Sequence, residues 1–190
     1  MIQIRQSVFE TNSSSTHSIC IQKNPVDADY REITFSLGEF GWNEGIANFG
    51  DYLYTAIMCN NTSDSKDNKL LKKLKDILDK HHIRYCFEKP IYDDKYGWLS
   101  NGYIDHSYNL GDFVDIVLND EDLLLRGLFG EDSVVYTGND NTDYEDNLCG
   151  IACDYIWVKD KDENWVKKKV GNWDNPYYDP DNFDYFYKDN

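Results

Sequence analysis

Apolar residues alternate with polar ones at the start of the chain, at Ile2, Ile4 and Val8, and again at Ile19 and Ile21. Alternation at period two marks half-buried strands, because successive side chains of a strand point to opposite faces. Between these arms, residues 8–18 read V-F-E-T-N-S-S-S-T-H-S, a nearly unbroken run of hydroxyl, amide and imidazole side chains. Asn and Ser clusters form turns, so the pattern predicts an N-terminal β-hairpin closed by a polar loop. A hairpin needs only about two to five loop residues. Asn12, Ser13, Ser14, Ser15, Thr16 and His17 therefore offer more polar chemistry than chain reversal requires. Two readings stand side by side: a solvated turn whose hydroxyls bond the local backbone, or a displayed set of functional groups.

Ile33 and Phe35 alternate within residues 30–37 as a further strand, which runs into Gly38-Glu39-Phe40-Gly41-Trp42. Glycines permit positive φ and close backbone approach, so this segment predicts a tight turn at a strand end. Glu39 and Trp42 displayed there form either a pocket wall or an ordinary aromatic corner. Residues 44–59 carry Ile46, Phe49, Leu53 and Ile57 near helical spacing, interrupted by Gly50. Residues 66–81 give the clearest helix: Leu70, Leu71, Leu74, Ile77 and Leu78 form one stripe and lysines cover the other face, with Ser65 as N-cap. That basic face is either solvated or a local contact to an RNA backbone. His81 and His82 at the helix end fit the macrodipole, which favours cations there.

A short strand over 83–87 stops before Pro90, and a loop over 93–102 holds Tyr96 and Trp98. Asp105 and His106 follow; as sequence neighbours they can reach a common site only at a strand end or in a loop. Residues 113–118 and 121–129 read as short helices, the second capped by Asn119 or Asp120 and ended by Gly130. A strand over 133–137 runs into the turn Gly138-Asn139-Asp140-Asn141. Residues 148–158 and 165–170 form a hairpin across a charged turn. The sum is an α+β fold: a mostly antiparallel sheet of about six strands, with helices packed mainly on one face. Residues 1–171 read as one domain. Residues 172–190 read as an acidic aromatic tail, either a frayed terminus or an imitation of the charge and flat faces of nucleic acid.

Composition narrows the partners. The 190-residue chain carries a formal net charge of -16. Phosphates are repelled by such a surface, so binding to free nucleic acid should be weak. A basic partner is favoured, including a protein already holding nucleic acid. The five cysteines are odd in number and mostly lie in or beside apolar runs, as thiols of a reducing cytoplasm do. Cys149 and Cys153 have no second close pair, which argues against a zinc knuckle. No signal peptide is present and no apolar run approaches ~18 residues, so neither secretion nor a membrane span is expected.

Four polar segments thus stand at the ends of predicted strands: 12–18, 39–42, 105–106 and 139–141. Strand ends are where a sheet can gather distant segments. If they converge, the combined groups suit metal-free cleavage of a phosphodiester. His17 and His106 would act as general base and acid, with Glu39 and Asp105 beside them. Asn12, Ser13, Ser14, Ser15, Asn139 and Asp140 would hold the phosphate, and Trp42 would stack a base. No cofactor is required; the second reading is one divalent metal held by His17, Glu39, Asp105 and His106. P-loop, HExxH, GxSxG and paired CxxC signatures are missing.

The opening I-R-Q-S-V-F-E-T-N-S-S-S-T-H-S, with G-E-F-G-W, Y-I-D-H and T-G-N-D-N, resembles a family of small proteins carried by phages and mobile elements of Gram-positive bacteria. That family resembles the anti-CRISPR proteins that shut off an RNA-guided DNA nuclease by truncating its guide RNA. The blocks span residues 4–141 and leave the tail outside. The resemblance implies functional roles for Ser13, Ser14, Ser15 and His17, with Glu39, Asp105, His106 and Asp140 as fellow candidates. It implies action in the cytoplasm of a bacterial host on a guide-loaded nuclease, whose basic surface would accept an acidic protein; the chain itself is expected to be a monomer. The rival expectation is a non-catalytic nucleic-acid mimic that blocks the basic groove of the nuclease.

Overall fold

The computed structural model describes residues 15–41, 45–59, 68–95, 97–105, 110–139, 155–159, 165–169 and 183–188. Its largest sheet has four strands. Strand β1 (Ser15–Gln22) lies between β10 (Phe183–Lys188) and β7 (Val134–Asn139), and β4 (Gly45–Ala47) pairs on the far side of β7; all three pairings are antiparallel. Short parallel ladders join β2 (Glu32–Phe35) to β5 (Arg84–Phe87), and β3 (Glu39–Phe40) to β6 (Tyr103–Ile104). An antiparallel pair joins β8 (Tyr155–Lys159) to β9 (Trp165–Lys169), the hairpin expected there.

The α+β class is therefore found, but a single sheet of about six strands is not: the described strands divide among one four-stranded and several two-stranded sheets. Helices intervene between β2 and β5, and between β3 and β6. Such connections allow parallel pairing and keep these short ladders apart from the antiparallel sheet. Gly38 to Gly41 is correspondingly not a tight turn, since Glu39 and Phe40 pair in register with Tyr103 and Ile104. Gly41 serves the close approach instead: a Cβ there would stand 2.5 Å from the Tyr103 hydroxyl.

The helices are set by their caps. Helix α1 (Phe49–Cys59) starts after Asn48, whose side chain accepts from Gly50 N at 2.8 Å and Asp51 N at 3.3 Å. Residues 45–47, expected to be helical, are the edge strand β4. Helix α2 (Lys69–Lys80) is capped by Asn68, which accepts from Leu71 N at 2.9 Å. The expected cap Ser65 lies outside the described residues. Helix α4 (Glu121–Phe129) spans the expected residues, with Asp120 capping Leu123 N at 3.0 Å and Gly130 closing it, while α3 (Leu110–Asn119) contains the expected 113–118 and starts three residues earlier.

Helices α1 and α4 pack against β7 and β1, and α3 contacts α1, α2 and α4. The core joins Ile19, Ile21 and Val135 of the sheet to Phe49, Tyr52, Leu53 and Ile57 of α1. Leu71, Leu74 and Leu78 bring the α2 stripe into it. At the far end of β1, Arg126 is buried at 7% exposure. It donates to Gln22 O at 2.6 Å and to Asp122 Oδ2 at 2.8 Å. Its charge is thus compensated where desolvation would otherwise be costly.

Part of the predicted tail is a strand. Residues 183–188 pair with β1 from Gln22↔Phe183 to His17↔Lys188. The first arm of the predicted N-terminal hairpin, residues 2–8, lies outside the described residues, and its second arm is β1. Among the described residues, no helix is long and apolar enough to cross a membrane.

Candidate functional site

Backbone register brings the described parts of two polar segments side by side in the sheet. Ser15 stands opposite Asn139, His17 opposite Thr137, and Gly45 also opposite Thr137. Residues 15–18 therefore adjoin residues 136–139, and β4, from Gly45, pairs on the other side of β7. Asn12, Ser13, Ser14, Trp42, His106 and Asp140 lie outside the described residues, as do the side chains of Ser15 and Asn139.

His17 is not in a loop. It sits in β1, flanked by β7 and β10, with its side chain at 0% exposure. The reason is periodicity: His17, Ile19 and Ile21 share one face of the strand, and that face is the core. The imidazole Nδ1 lies 2.8 Å from the Tyr52 hydroxyl, and the rings meet edge to face with centroids 5.6 Å apart. Tyr52 is itself at 0% exposure and packs on Phe40 and Phe113, with ring centroids 5.1 and 6.1 Å away. A polar pair inside an aromatic cluster is held in one geometry by its packing and its hydrogen bond.

The predicted carboxylates belong to a different layer. In the β3/β6 ladder, Glu39 neighbours Tyr103 while Phe40 neighbours Ile104. Ile104 is buried and Phe40 faces Tyr52, so Glu39 and Tyr103 face outward. Asp105 follows β6, half-buried beside Gly41, and its N–H donates to Phe40 O at 2.8 Å. Phe40 thus stands between the exposed Glu39 and the His17–Tyr52 pair. His17, Glu39 and Asp105 do not form a metal-ligating group among the described residues.

Two other polar clusters were not singled out as sites from sequence. In the first, Asp51 accepts from Ser36 N at 2.7 Å and Thr55 Oγ1 from Gly38 N at 3.1 Å. Glu88 accepts from Leu37 N at 2.8 Å and from the Asn101 amide at 3.0 Å. These bonds pin residues 36–38 between α1 and the end of β5. Burial raises the Asp51 carboxyl above its ordinary range, against the opposing Ser36 hydrogen bond.

The second cluster holds His81. Its Nδ1 lies 2.7 Å from Asp29 and its Nε2 lies 2.6 Å from Glu121. Glu121 also takes Lys80 Nζ at 2.8 Å. Hydrogen bonds to Glu121 and then Asp29 raise the His81 pKa, while Lys80 and then His81 lower that of Glu121. The macrodipole expected to explain this histidine is joined by two carboxylates on other segments. Next to it, Tyr30 and His82 both adopt left-handed φ, 62° and 55°, and stack with centroids 5.0 Å apart. Tyr30 N donates to His81 O at 3.1 Å, which helps hold this uncommon geometry.

A pH dependence follows. A histidine with a raised folded pKa contributes its stabilisation fully below about pH 6.5 and loses it as pH rises through the folded value. The lowered Glu121 contributes above the ordinary carboxylate value of 4.5 and loses that as pH falls through its folded value. The thermal unfolding midpoint should therefore fall as pH is raised from about 6. His81→Gln should flatten that slope. An unchanged slope in the variant would assign the pH dependence to other groups.

Compared with known proteins, the chain matches no family model, no curated protein and no solved structure.

Proposed function

We propose that the chain is a non-catalytic anionic ligand that occupies the basic, nucleic-acid-binding groove of a partner, with an RNA-guided DNA nuclease in a bacterial cytoplasm as the partner the motif resemblance suggests. The observation that carries this reading is the position of charge against the position of the imidazole. Among the residues whose side chains are described, no Asp or Glu is fully buried, Asp51 and Asp105 being among the half-buried ones, while His17 is at 0% exposure. A histidine enclosed between a tyrosine and a sheet cannot reach a phosphodiester unless the core opens. Surface carboxylates on a chain of net charge -16 can substitute for phosphates against a basic groove at no such cost.

The test is a mixture of purified protein with a type II effector, loaded with guide RNA or empty. Inhibition of DNA cleavage should saturate at a fixed stoichiometry and leave the guide at full length. Binding should weaken about tenfold or more between about 50 mM and about 200 mM salt. Shortened guide at substoichiometric protein would replace this reading with cleavage. Deleting residues 172–190 is not a clean test of the tail, because it removes β10 from the side of β1.

One observation favours cleavage of the guide RNA as the second reading: the β1/β7 register that sets Ser15 opposite Asn139. In that reading His17 supports the site from beneath through Tyr52, and proton transfer falls to groups such as His106.

A further inference from the structure

The exposed large apolar residues of the described chain are few, and three of them follow one another closely: Ile91 at 57%, Trp98 at 72% and Tyr103 at 46% exposure. The first two lie on a small antiparallel ribbon. Tyr92 and Leu99 form its bridge, Asp93 N donates to Trp98 O at 2.8 Å, and Ser100 N donates to Ile91 O at 2.6 Å. Tyr92 and Leu99 pack against the core, so the residues on either side of them face outward. Ile91 and Trp98 are therefore diagonal cross-strand neighbours on the outer face, a separation an indole spans. Tyr103, exposed on β6, follows the ribbon three residues after Ser100, with its hydroxyl over Gly41.

The ribbon is braced. Asn101 Oδ1 accepts from Ile91 N at 2.8 Å, and its amide donates to Glu88 Oε1 at 3.0 Å and Lys89 O at 3.1 Å. Lys95 N and Gly97 N both donate to Asp93, to its carboxylate and its carbonyl respectively, at 2.9 Å each. At 72% exposure most of the Trp98 side chain stays within reach of a partner, on a backbone that these bonds hold. An exposed tryptophan on a braced backbone suits an interface anchor.

The rim identifies the partner. Asp93 stands across the ribbon from Trp98, Asp94 follows it in the turn, Glu88 accepts from Asn101 and Glu39 pairs with Tyr103, all exposed, against Lys89 and Lys95. We propose that the Ile91–Trp98–Tyr103 surface is the apolar anchor of a docking site for a basic protein, one that presents arginine or lysine side chains around an apolar recess. This rests on the reading of the chain as an anionic ligand and locates where that ligand grips. The carboxylates bring the basic partner in, and the indole slows its departure.

The experiment compares wild type with Trp98→Ser, Ile91→Ser and Ile46→Ser, the last a control at 68% exposure on β4. Affinity for the guide-loaded type II effector is read by calorimetry. Trp98→Ser should weaken binding about thirtyfold and Ile46→Ser should leave it unchanged. Effector binding that is equal in wild type and Trp98→Ser overturns the docking site and leaves the anionic-ligand reading standing. If wild type binds no effector, that reading fails, and a peptide of arginines and leucines decides the surface separately. Binding of the peptide by wild type and its loss in Trp98→Ser supports the site; no binding, or equal binding, overturns it. Sedimentation velocity covers the remaining occupant: a wild-type dimer that Trp98→Ser converts to monomer assigns the surface to a second copy and overturns the basic partner.

Discussion

Replacing His17 with alanine is expected to lower the free energy of unfolding by about 2–4 kcal/mol, with any loss of function following the loss of fold. The ring is at 0% exposure, so its removal leaves a cavity in the core face of β1. It also strips the Tyr52 hydroxyl of a partner at 2.8 Å. Tyr52→Phe keeps the aromatic packing on Phe40 and Phe113 and deletes only the hydroxyl; about 1–2 kcal/mol is expected. The two changes should be non-additive, because each breaks the same hydrogen bond. Urea denaturation of the four proteins of the cycle measures this. A His17→Ala protein as stable as wild type but inactive would contradict the structural role and restore the imidazole to the reaction.

The largest loss is expected from Phe49→Ala, at about 3–5 kcal/mol. Phe49 is at 1% exposure, meets Phe113 edge to face with centroids 6.1 Å apart, and lies over Gly127 of α4. Gly127 makes the sharper experiment. Glycine inside a helix is about 1 kcal/mol worse than alanine, so propensity alone favours Gly127→Ala. A Cβ there would stand 2.5, 2.6 and 2.8 Å from three atoms of the Phe49 ring. Overpacking of a buried aromatic costs about 1–3 kcal/mol, which outweighs the helix gain. Gly127→Ala should therefore destabilise wild type and stabilise Phe49→Ala, where the ring is gone. Failure of the sign to reverse in that background would mean that the α1/α4 contact is looser than it stands here.

Helices were legible where a local rule was sufficient. The stripe of α2 buries Leu71, Leu74 and Leu78 as its spacing requires, and α4 runs between the cap Asp120 and Gly130. Its start was legible only in kind: Ser65 and Asn68 are both cap residues, and the amide of Asn68 is the group that meets Leu71 N. For α1, the apolar spacing ran back through Ile46, but Asn48 supplies the cap and residues 45–47 pair with β7 instead. Strand partners were beyond local reach. No short-range pattern says that β3 pairs with β6 rather than turning back, or that residues 183–188 lie along β1.

The site divides in the same way. Net charge -16 and the cluster of hydroxyl and amide side chains are properties of the residues themselves, and they restrict the partners whatever the fold. The place of His17 is different. Its neighbours in sequence are turn formers, but the period of two set by Ile21 and Ile19 carries back to it, and only burial of that face between β7, β10 and α1 decides which signal wins. The outward turn of Trp98 likewise depends on a bridge between Tyr92 and Leu99 that lean on a core built from distant segments. Charge and capping act over a few residues and can be read along the chain; exposure is set by what packs against a side chain, and that is decided in three dimensions.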